Sequence, residues 1–245
     1  MGRSGAPGTT AWRSRVPPAT RVYAVGDIHG RADLLFDVVQ RIDDDLRRRP
    51  VKYAIEIYLG DYIDRGSDSK TVIDILCRRL VYRNAVCLRG NHEALLEDFL
   101  HDPDVIYDWR RLGGLNTINS YGVALPAMAQ LVPSELHRDF CSVLPRTHLL
   151  FLQCLQNIYW CGDYLFVHAG IRPGVPIEYQ VENDLFWIRQ EFLQSKADHG
   201  WTVVHGHTPV IHPYVSSNRI NIDTGAVHTG KLTCLVLEAA AVSFL

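Results

Sequence analysis

The chain has 245 residues, 47% of them hydrophobic and 21% charged, with a formal net charge of −2. This is ordinary soluble-globular composition, enough for a sizeable core in one domain with room for a subdomain. No global basic field draws such a chain to nucleic acid or a membrane, and no apolar run approaches the length of a spanning helix.

Met1 to Thr20 carries Arg3, Arg13 and Arg15 among Gly, Ser and Pro but has no apolar h-region. It reads as a disordered leader rather than a secretory signal, ahead of one catalytic domain over residues 21–245. Val22–Val25 is a short apolar strand that ends in Gly26-Asp27-Ile28-His29-Gly30. A helix follows, with Leu34, Leu35, Val38, Val39, Ile42 and Leu46 at helical spacing and Arg47, Arg48 and Arg49 at its negative end; Pro50 stops it. The run Ala54–Leu59 is the next strand, and it runs into Gly60-Asp61-Tyr62-Ile63-Asp64-Arg65-Gly66. Ser67 and Asp68 then offer an N-cap to a helix carrying Val72, Ile73, Leu76 and Leu80. The third strand, Ala85–Leu88, leads to Arg89-Gly90-Asn91-His92-Glu93, with a helix expected from Ala94. Three strand–turn–helix units in a row predict a parallel sheet with right-handed crossovers.

From Pro103 to about Gln156 the alternation stops, and short helical pieces punctuated by Gly and Pro predict a mostly helical insert over the sheet edge. Ile158–Cys161 and Tyr164–Val167 form a hairpin on the two-residue turn Gly162-Asp163, ending in His168. Asp184 to Phe192 reads as a strand or turn entering a helix. Trp201–Val204 is a strand ending in His205-Gly206-His207. Arg219–Asp223 and Leu232–Leu237 are expected to complete a second, more antiparallel group. The six cysteines, at 77, 87, 141, 154, 161 and 234, form no Cys-x-x-Cys pair. They predict a reducing, cytoplasmic setting without a disulfide framework.

The chemistry gathers at strand ends: Asp27 and His29; Asp61, Asp64 and Arg65; Asn91 and His92; His168; His205 and His207. A lone strand-end histidine is more often hydrogen-bonded structure than ligand. Five Gly-flanked clusters at the carboxyl edge of a parallel sheet, where ligands bind, argue otherwise. His, Asp and Asn without Cys suit borderline divalent metals: manganese first, with iron or zinc as alternatives. Six to eight such ligands exceed one tetrahedral site, so two divalent ions sharing a carboxylate fit better. Gly225 to Lys231 only imitates a phosphate-binding loop, since Leu232 replaces the required hydroxyl, and His92-Glu93 lacks the second His of a zinc protease.

The motifs Gly-Asp-x-His-Gly, Gly-Asp-x-x-Asp-Arg-Gly, Gly-Asn-His-Glu, His-Ala-Gly and Gly-His-Thr, in that order from Gly26 to Thr208, resemble the phosphoprotein phosphatase family of metallophosphoesterases. Asp184-Leu-Phe-Trp-Ile-Arg189 and Gly113-Gly114-x-x-Thr-x-x-Ser120-Tyr121-Gly122 resemble its bacterial members, and the symmetrical diadenosine tetraphosphatases share most of the metal motifs. The resemblance implies an α/β fold, the four-layer α/β/β/α sandwich. It places Asp27, His29 and Asp61 on one metal, and Asp61, Asn91, His168 and His207 on the second. His92 would be the general acid oriented by Asp64, and Arg65 and Arg189 would bind phosphoryl oxygens. His205 falls where eukaryotic members carry Arg, and support of the neighbouring ligands is expected of it. The implied activity is phosphomonoester hydrolysis by in-line attack of a metal-bridging hydroxide, with a phosphoprotein or a small phosphoester as substrate. A protein serine/threonine phosphatase is the first expectation. A dinucleoside polyphosphate hydrolase is the alternative.

Overall fold

The computed structural model describes residues 14–245. Two five-stranded sheets face each other. The first is built from β1 (Thr20–Val25), β2 (Tyr53–Tyr58), β3 (Ala85–Cys87), and two later strands, β9 (Cys234–Glu238) and β10 (Ala241–Phe244), in the order β10-β9-β1-β2-β3. The second holds β4 (Ile158–Cys161), β5 (Tyr164–Val167), β6 (Thr202–His205), β7 (Tyr214–Val215) and β8 (Arg219–Asn221), in the order β4-β5-β6-β8-β7. In each sheet three consecutive strands are parallel: β1, β2 and β3 in one, β5, β6 and β8 in the other.

Alternation along the strands explains the layering. Val22 and Ala24 of β1, Ile55 and Ile57 of β2, Phe166 of β5, Val204 of β6 and Ile220 of β8 share one apolar layer between the sheets. Tyr23 and Val25 point the other way, onto the helices α1 (Ala32–Arg48) and α2 (Ser69–Tyr82). Leu165, Val167 and Val203 pack outward beneath α8 (Glu182–Trp187) and α9 (Gln190–Leu193), through Leu185, Phe186 and Phe192. The result is the expected α/β/β/α sandwich.

Helix starts and stops follow the sequence signals. The Asp68 side chain accepts from the Thr71 N–H at 3.3 Å to cap α2. The helix α3 (Asn91–His101) begins earlier than Ala94, because the Glu93 carboxylate reaches back to the Gly90 N–H at 3.0 Å. Asn91 and His92 are therefore held on a first helical turn, not in a loop. The insert is helical, with α4 (Ile106–Trp109), α5 (Gly114–Ser120), α6 (Pro133–Val143) and α7 (Arg146–Gln153). It continues the α2 and α3 layer through Trp109, Ile118, Phe140 and Phe151, all buried in the same cluster as Phe99 and Leu76.

Three expectations need correction. Leu232–Leu237 does not join the second sheet: β9 pairs antiparallel with β1, and β10 with β9. The free edge of β1 takes it because Leu235 and Leu237 fill the layer between the sheets while Cys234 and Val236 face the helices. Asp184 to Trp187, expected as a strand or turn entering a helix, is itself helix. Of the expected leader, residues 1–13 lie outside the described residues, but 14–20 are part of the fold. Val16 is buried, its N–H donates to the Ala239 carbonyl at 3.0 Å, and Thr20 opens β1. All six cysteines are unpaired. Among the described residues no helix is long and apolar enough to cross a membrane.

Candidate active site

The parallel strands of both sheets aim their carboxyl ends at one point. There β1 delivers Asp27 and His29, β2 delivers Asp61 and Asp64, the first turn of α3 delivers Asn91 and His92, β5 delivers His168, and the turn after β6 delivers His207. All eight side chains are buried. The backbone is bent to bring them in. His29 (φ 47°), Asp61 (52°), Asp64 (71°), Arg65 (65°) and His207 (63°) all occupy the left-handed region. Such conformations cost on the order of 1–3 kcal/mol each and persist where the surroundings impose them. Gly90 and Gly206 allow the closest approaches. A Cβ on Gly90 would stand 2.2 Å from Asp61 Oδ1, and one on Gly206 would stand 2.0 Å from Asp27 Oδ1.

The donor set fits cations. His168 Nδ1 lies 2.9 Å from the Leu59 carbonyl and His29 Nδ1 2.9 Å from that of Ile63, so each ring donates there. Their Nε2 lone pairs then face other acceptors: His168 Nε2 lies 3.1 Å from Asn91 Oδ1 and 3.3 Å from Asp61 Oδ1, and His29 Nε2 lies 3.5 Å from Asp61 Oδ2. An imidazole that gives one N–H to a backbone carbonyl and turns its other nitrogen toward oxygens is the usual arrangement of a metal ligand. Asp27 Oδ1 and His207 Nε2 are buried without a hydrogen-bond partner. Burial, then the charges of Asp223 and Asp61, push the Asp27 carboxyl well above its ordinary range, as crowded acids do where a cation would relieve them. Two groups of ligand atoms stand within 4.8 Å of one another, His29, Asp61 and His92 in one and Asp61, His168 and His207 in the other. Asp61 belongs to both, as the shared carboxylate of a two-metal site must.

His92 also stands within ligand distance, but its hydrogen bonds differ from those of His29 and His168. Its Nδ1 donates to Asp64 Oδ2 at 2.6 Å, and its Nε2 faces Arg65 Nη2 at 3.2 Å. Burial works to lower its pKa, and the charges of Asp61 and Asp64 overcome this and raise it. Such a ring can carry a proton toward a leaving oxygen. Asp64 is itself clamped: Trp109 Nε1 donates to Oδ2 at 2.7 Å, Thr117 Oγ1 donates to Oδ1, and the Asp64 N–H donates to Thr117 Oγ1 at 2.9 Å. Trp109 and Thr117 come from the insert, so the insert fixes Asp64 and, through it, the His92 ring.

The remaining positions divide. Arg65 is half-buried and Arg189 is exposed on the segment after α8. Burial, then His168 and, more weakly, the Arg189 charge, hold the His207 pKa near 3 against the pull of Asp61. Arg65 reaches the site, its Nη2 3.2 Å from His92 Nε2, whereas Arg189 lies on a separate segment, two residues past the Trp187 ring that meets His207. His205 does not point into the site. Its ring meets Phe192 at 5.0 Å, Nε2 lies 3.4 Å from Arg219 Nη1, and Nδ1 donates to the Gly206 carbonyl at 3.1 Å, so it steadies the turn to His207 through the backbone.

Sequence reasoning missed four contributors. Glu93 accepts the N–H groups of Asp61 and Tyr62 at 2.8 Å each and so holds the Asp61 turn. Asp223 follows β8 as a buried acid beside Asp27, and burial lifts it to about 6. The strand-end rule that found the other clusters would have found it. Trp109 and Thr117 lie in or beside the Gly113-to-Gly122 segment that resembles bacterial members, the only sequence signal that singled it out.

Comparisons with known proteins agree with this geometry. Residues 20–230 match the calcineurin-like phosphoesterase family. A relative from Oceanobacillus iheyensis, named bis(5′-nucleosyl)-tetraphosphatase PrpE [asymmetrical], is 26% identical over 231 residues covering 87% of each chain. One of the same name from Bacillus mycoides is 28% identical, covering 86% of this chain and 88% of its own. Among solved structures, a provisionally assigned diadenosine tetraphosphatase superposes with a TM-score of 0.60 at 20% identity over 95% of this chain and 98% of its own. A cold-active protein tyrosine phosphatase does so at 0.56 and 16% identity, over 94% and 81%. With its paired sheets, its acids and imidazoles converging on one buried point, and a family match running through all of them, the chain belongs to the calcineurin-like phosphoesterase family of phosphoric ester hydrolases, whose members work with divalent metal ions.

Proposed function

We propose that this phosphoesterase hydrolyses a dinucleoside tetraphosphate, cleaving it unequally into a nucleoside monophosphate and a nucleoside triphosphate. The observation that carries the reading is the similarity to the tetraphosphatase-named relatives over most of both chains. Asp27, His29, Asp61, Asn91, His168 and His207 would hold two divalent ions. Manganese is the first choice for this donor set, with iron or zinc next. When bound, the ions supply Lewis-acid stabilisation of the phosphoryl oxygens and make a water a competent nucleophile at neutral pH. Arg65 and Arg189 neutralise charge on the same oxygens from opposite segments. His92, oriented by Asp64, gives a proton to the departing oxygen.

Hydrolysis of a phosphoserine or phosphothreonine ester is the second reading. The feature that favours it is the care with which Asp64, Trp109 and Thr117 hold His92. An alkoxide is a poor leaving group and needs that proton more than a nucleotide phosphate does. The experiment is direct: manganese-loaded protein is incubated with diadenosine tetraphosphate and with phosphoserine peptides, and products are separated by anion exchange. AMP and ATP are expected. Two equivalents of ADP would make the cleavage symmetrical. Phosphate from the peptides with no nucleotide products would replace this reading by the second.

Arg189 carries a prediction of its own. Among the described residues its side chain makes no salt bridge or hydrogen bond, which leaves its guanidinium free for an anion. Lysine keeps the charge but loses the bidentate fork. Arg189→Lys is expected to weaken inhibition by inorganic phosphate roughly tenfold, the loss of about one charge-assisted hydrogen bond. An inhibition constant equal to the wild type's would remove Arg189 from the phosphoryl site.

A further inference from the structure

We propose that Trp187 is the nucleobase platform of this site, a specificity-determining residue on which one base of the substrate stacks while the adjoining Arg189 holds that nucleotide's phosphate. The inference rests on the tetraphosphatase reading above and names the part of the substrate that the phosphate-handling residues leave unrecognised.

The local chain explains the placement. Helix α8 ends at Trp187, and Ile188 then takes an extended conformation (φ −58°, ψ 141°). Ile188 is buried in the outer apolar layer with Leu185 and Phe186. It anchors the segment, so its two neighbours, Trp187 and Arg189, emerge on the side away from that layer and are both exposed. Residues two apart in extended backbone are ~6–7 Å apart, a spacing on the scale of one ribose between a phosphate and its base.

Trp187 also stands at the right end of the site. Its ring lies 6.0 Å from that of His207, with the planes at 83°, so it meets this candidate ligand edge to face. Yet it stays 37% exposed, and its indole N–H makes no hydrogen bond among the described residues. The contrast with Trp109 is instructive: that indole is fully buried and its N–H is committed to Asp64. A large aromatic surface left open beside a buried cluster of acids and imidazoles has little use for phosphate, which offers it only charge. A purine offers a matching π-face, and base–aromatic stacking tolerates any base because every base has one. A phosphoserine or phosphothreonine peptide brings no such ring next to its phosphate.

The test compares two ligands that differ only by the base, AMP and ribose 5-phosphate, binding to manganese-loaded protein by calorimetry. Stacking of one base corresponds to roughly 5–150-fold in affinity. Wild-type protein is expected to prefer AMP at least about fivefold. Trp187→Leu should bring the two affinities together, and Trp187→Phe should keep part of the preference. The ratio is the informative quantity, because Trp187 borders His207 and any disturbance of metal or phosphate binding lowers both ligands alike. A wild-type ratio near one overturns the proposal. So does an unchanged ratio in Trp187→Leu, which would make the indole a wall for His207 and nothing more. Cleavage of diadenosine tetraphosphate by the wild type is measured separately. A protein that fails to cleave it yet loses its base preference in Trp187→Leu keeps the base site and loses only the substrate reading.

Discussion

Asp61→Asn is expected to purify with less than half the metal of the wild type and to turn over at least ~10²-fold more slowly on every substrate, since even partners that only orient metal ligands contribute ~10–100-fold. The substitution is a narrow one. Asn tolerates the left-handed backbone that Asp61 adopts at φ 52°, and it retains an oxygen for the His92 N–H, which Asp61 Oδ1 accepts at 3.2 Å. What is lost is one negative charge at the atom pair common to both ligand groups. Burial acts to raise that carboxyl, and the surrounding His168, His92, His29 and His207 outweigh it and lower it below the usual carboxylate range. Elemental analysis of the purified variant, with circular dichroism to establish that the fold is kept, decides the matter. Metal at wild-type stoichiometry would mean that Asp61 bridges nothing.

His92→Asn is expected to divide substrates by their leaving groups. General acid catalysis contributes ~10²–10⁴-fold, or about 3–5 kcal/mol of barrier. That contribution is largest for a serine alkoxide, smaller for a nucleotide phosphate and smallest for a nitrophenolate, which departs without much protonation. The variant should therefore lose on the order of 10²–10⁴ in kcat on phosphoserine peptides and clearly less on p-nitrophenyl phosphate, with metal content near wild type. Asp64→Asn should reproduce the pattern more mildly, because Asp64 acts on the ring and not on the substrate. Equal loss on both esters, accompanied by loss of metal, would make His92 a ligand of the first group after all, as its 3.7 Å approach to Asp61 Oδ2 allows.

The legible part of this protein was local. Val22–Val25, Ala54–Leu59 and Ala85–Leu88 are short apolar runs, each closed by Gly and polar ligands, and their geometry follows from periodicity and turn chemistry within a few residues. The start of α3 was misjudged by three residues because its cap is a side chain reaching backward: Glu93 satisfies the Gly90 N–H, and a carboxylate at that position reads equally well as a surface residue. The helix at Glu182–Trp187 begins earlier than its sequence suggests because so short a helix carries too few apolar positions to show a period.

By itself, then, the amino-acid order determined the layered α/β class, the strand-end clusters and the identity of the candidate ligands, because residue type and spacing act over a few residues and need no partner. Tertiary structure decided the rest. Whether Cys234–Glu238 pairs with β1 or with the second sheet depends on which edge is open and which layer needs Leu235 and Leu237, and neither is written in that segment. The grip of Trp109 and Thr117 on Asp64 spans 45 and 53 residues of chain, and it exists only once the insert has packed on α2 and α3. The same holds for the pairing of exposed Trp187 with His207, because an aromatic residue at a helix end becomes a binding surface only when folding leaves its face open beside the site.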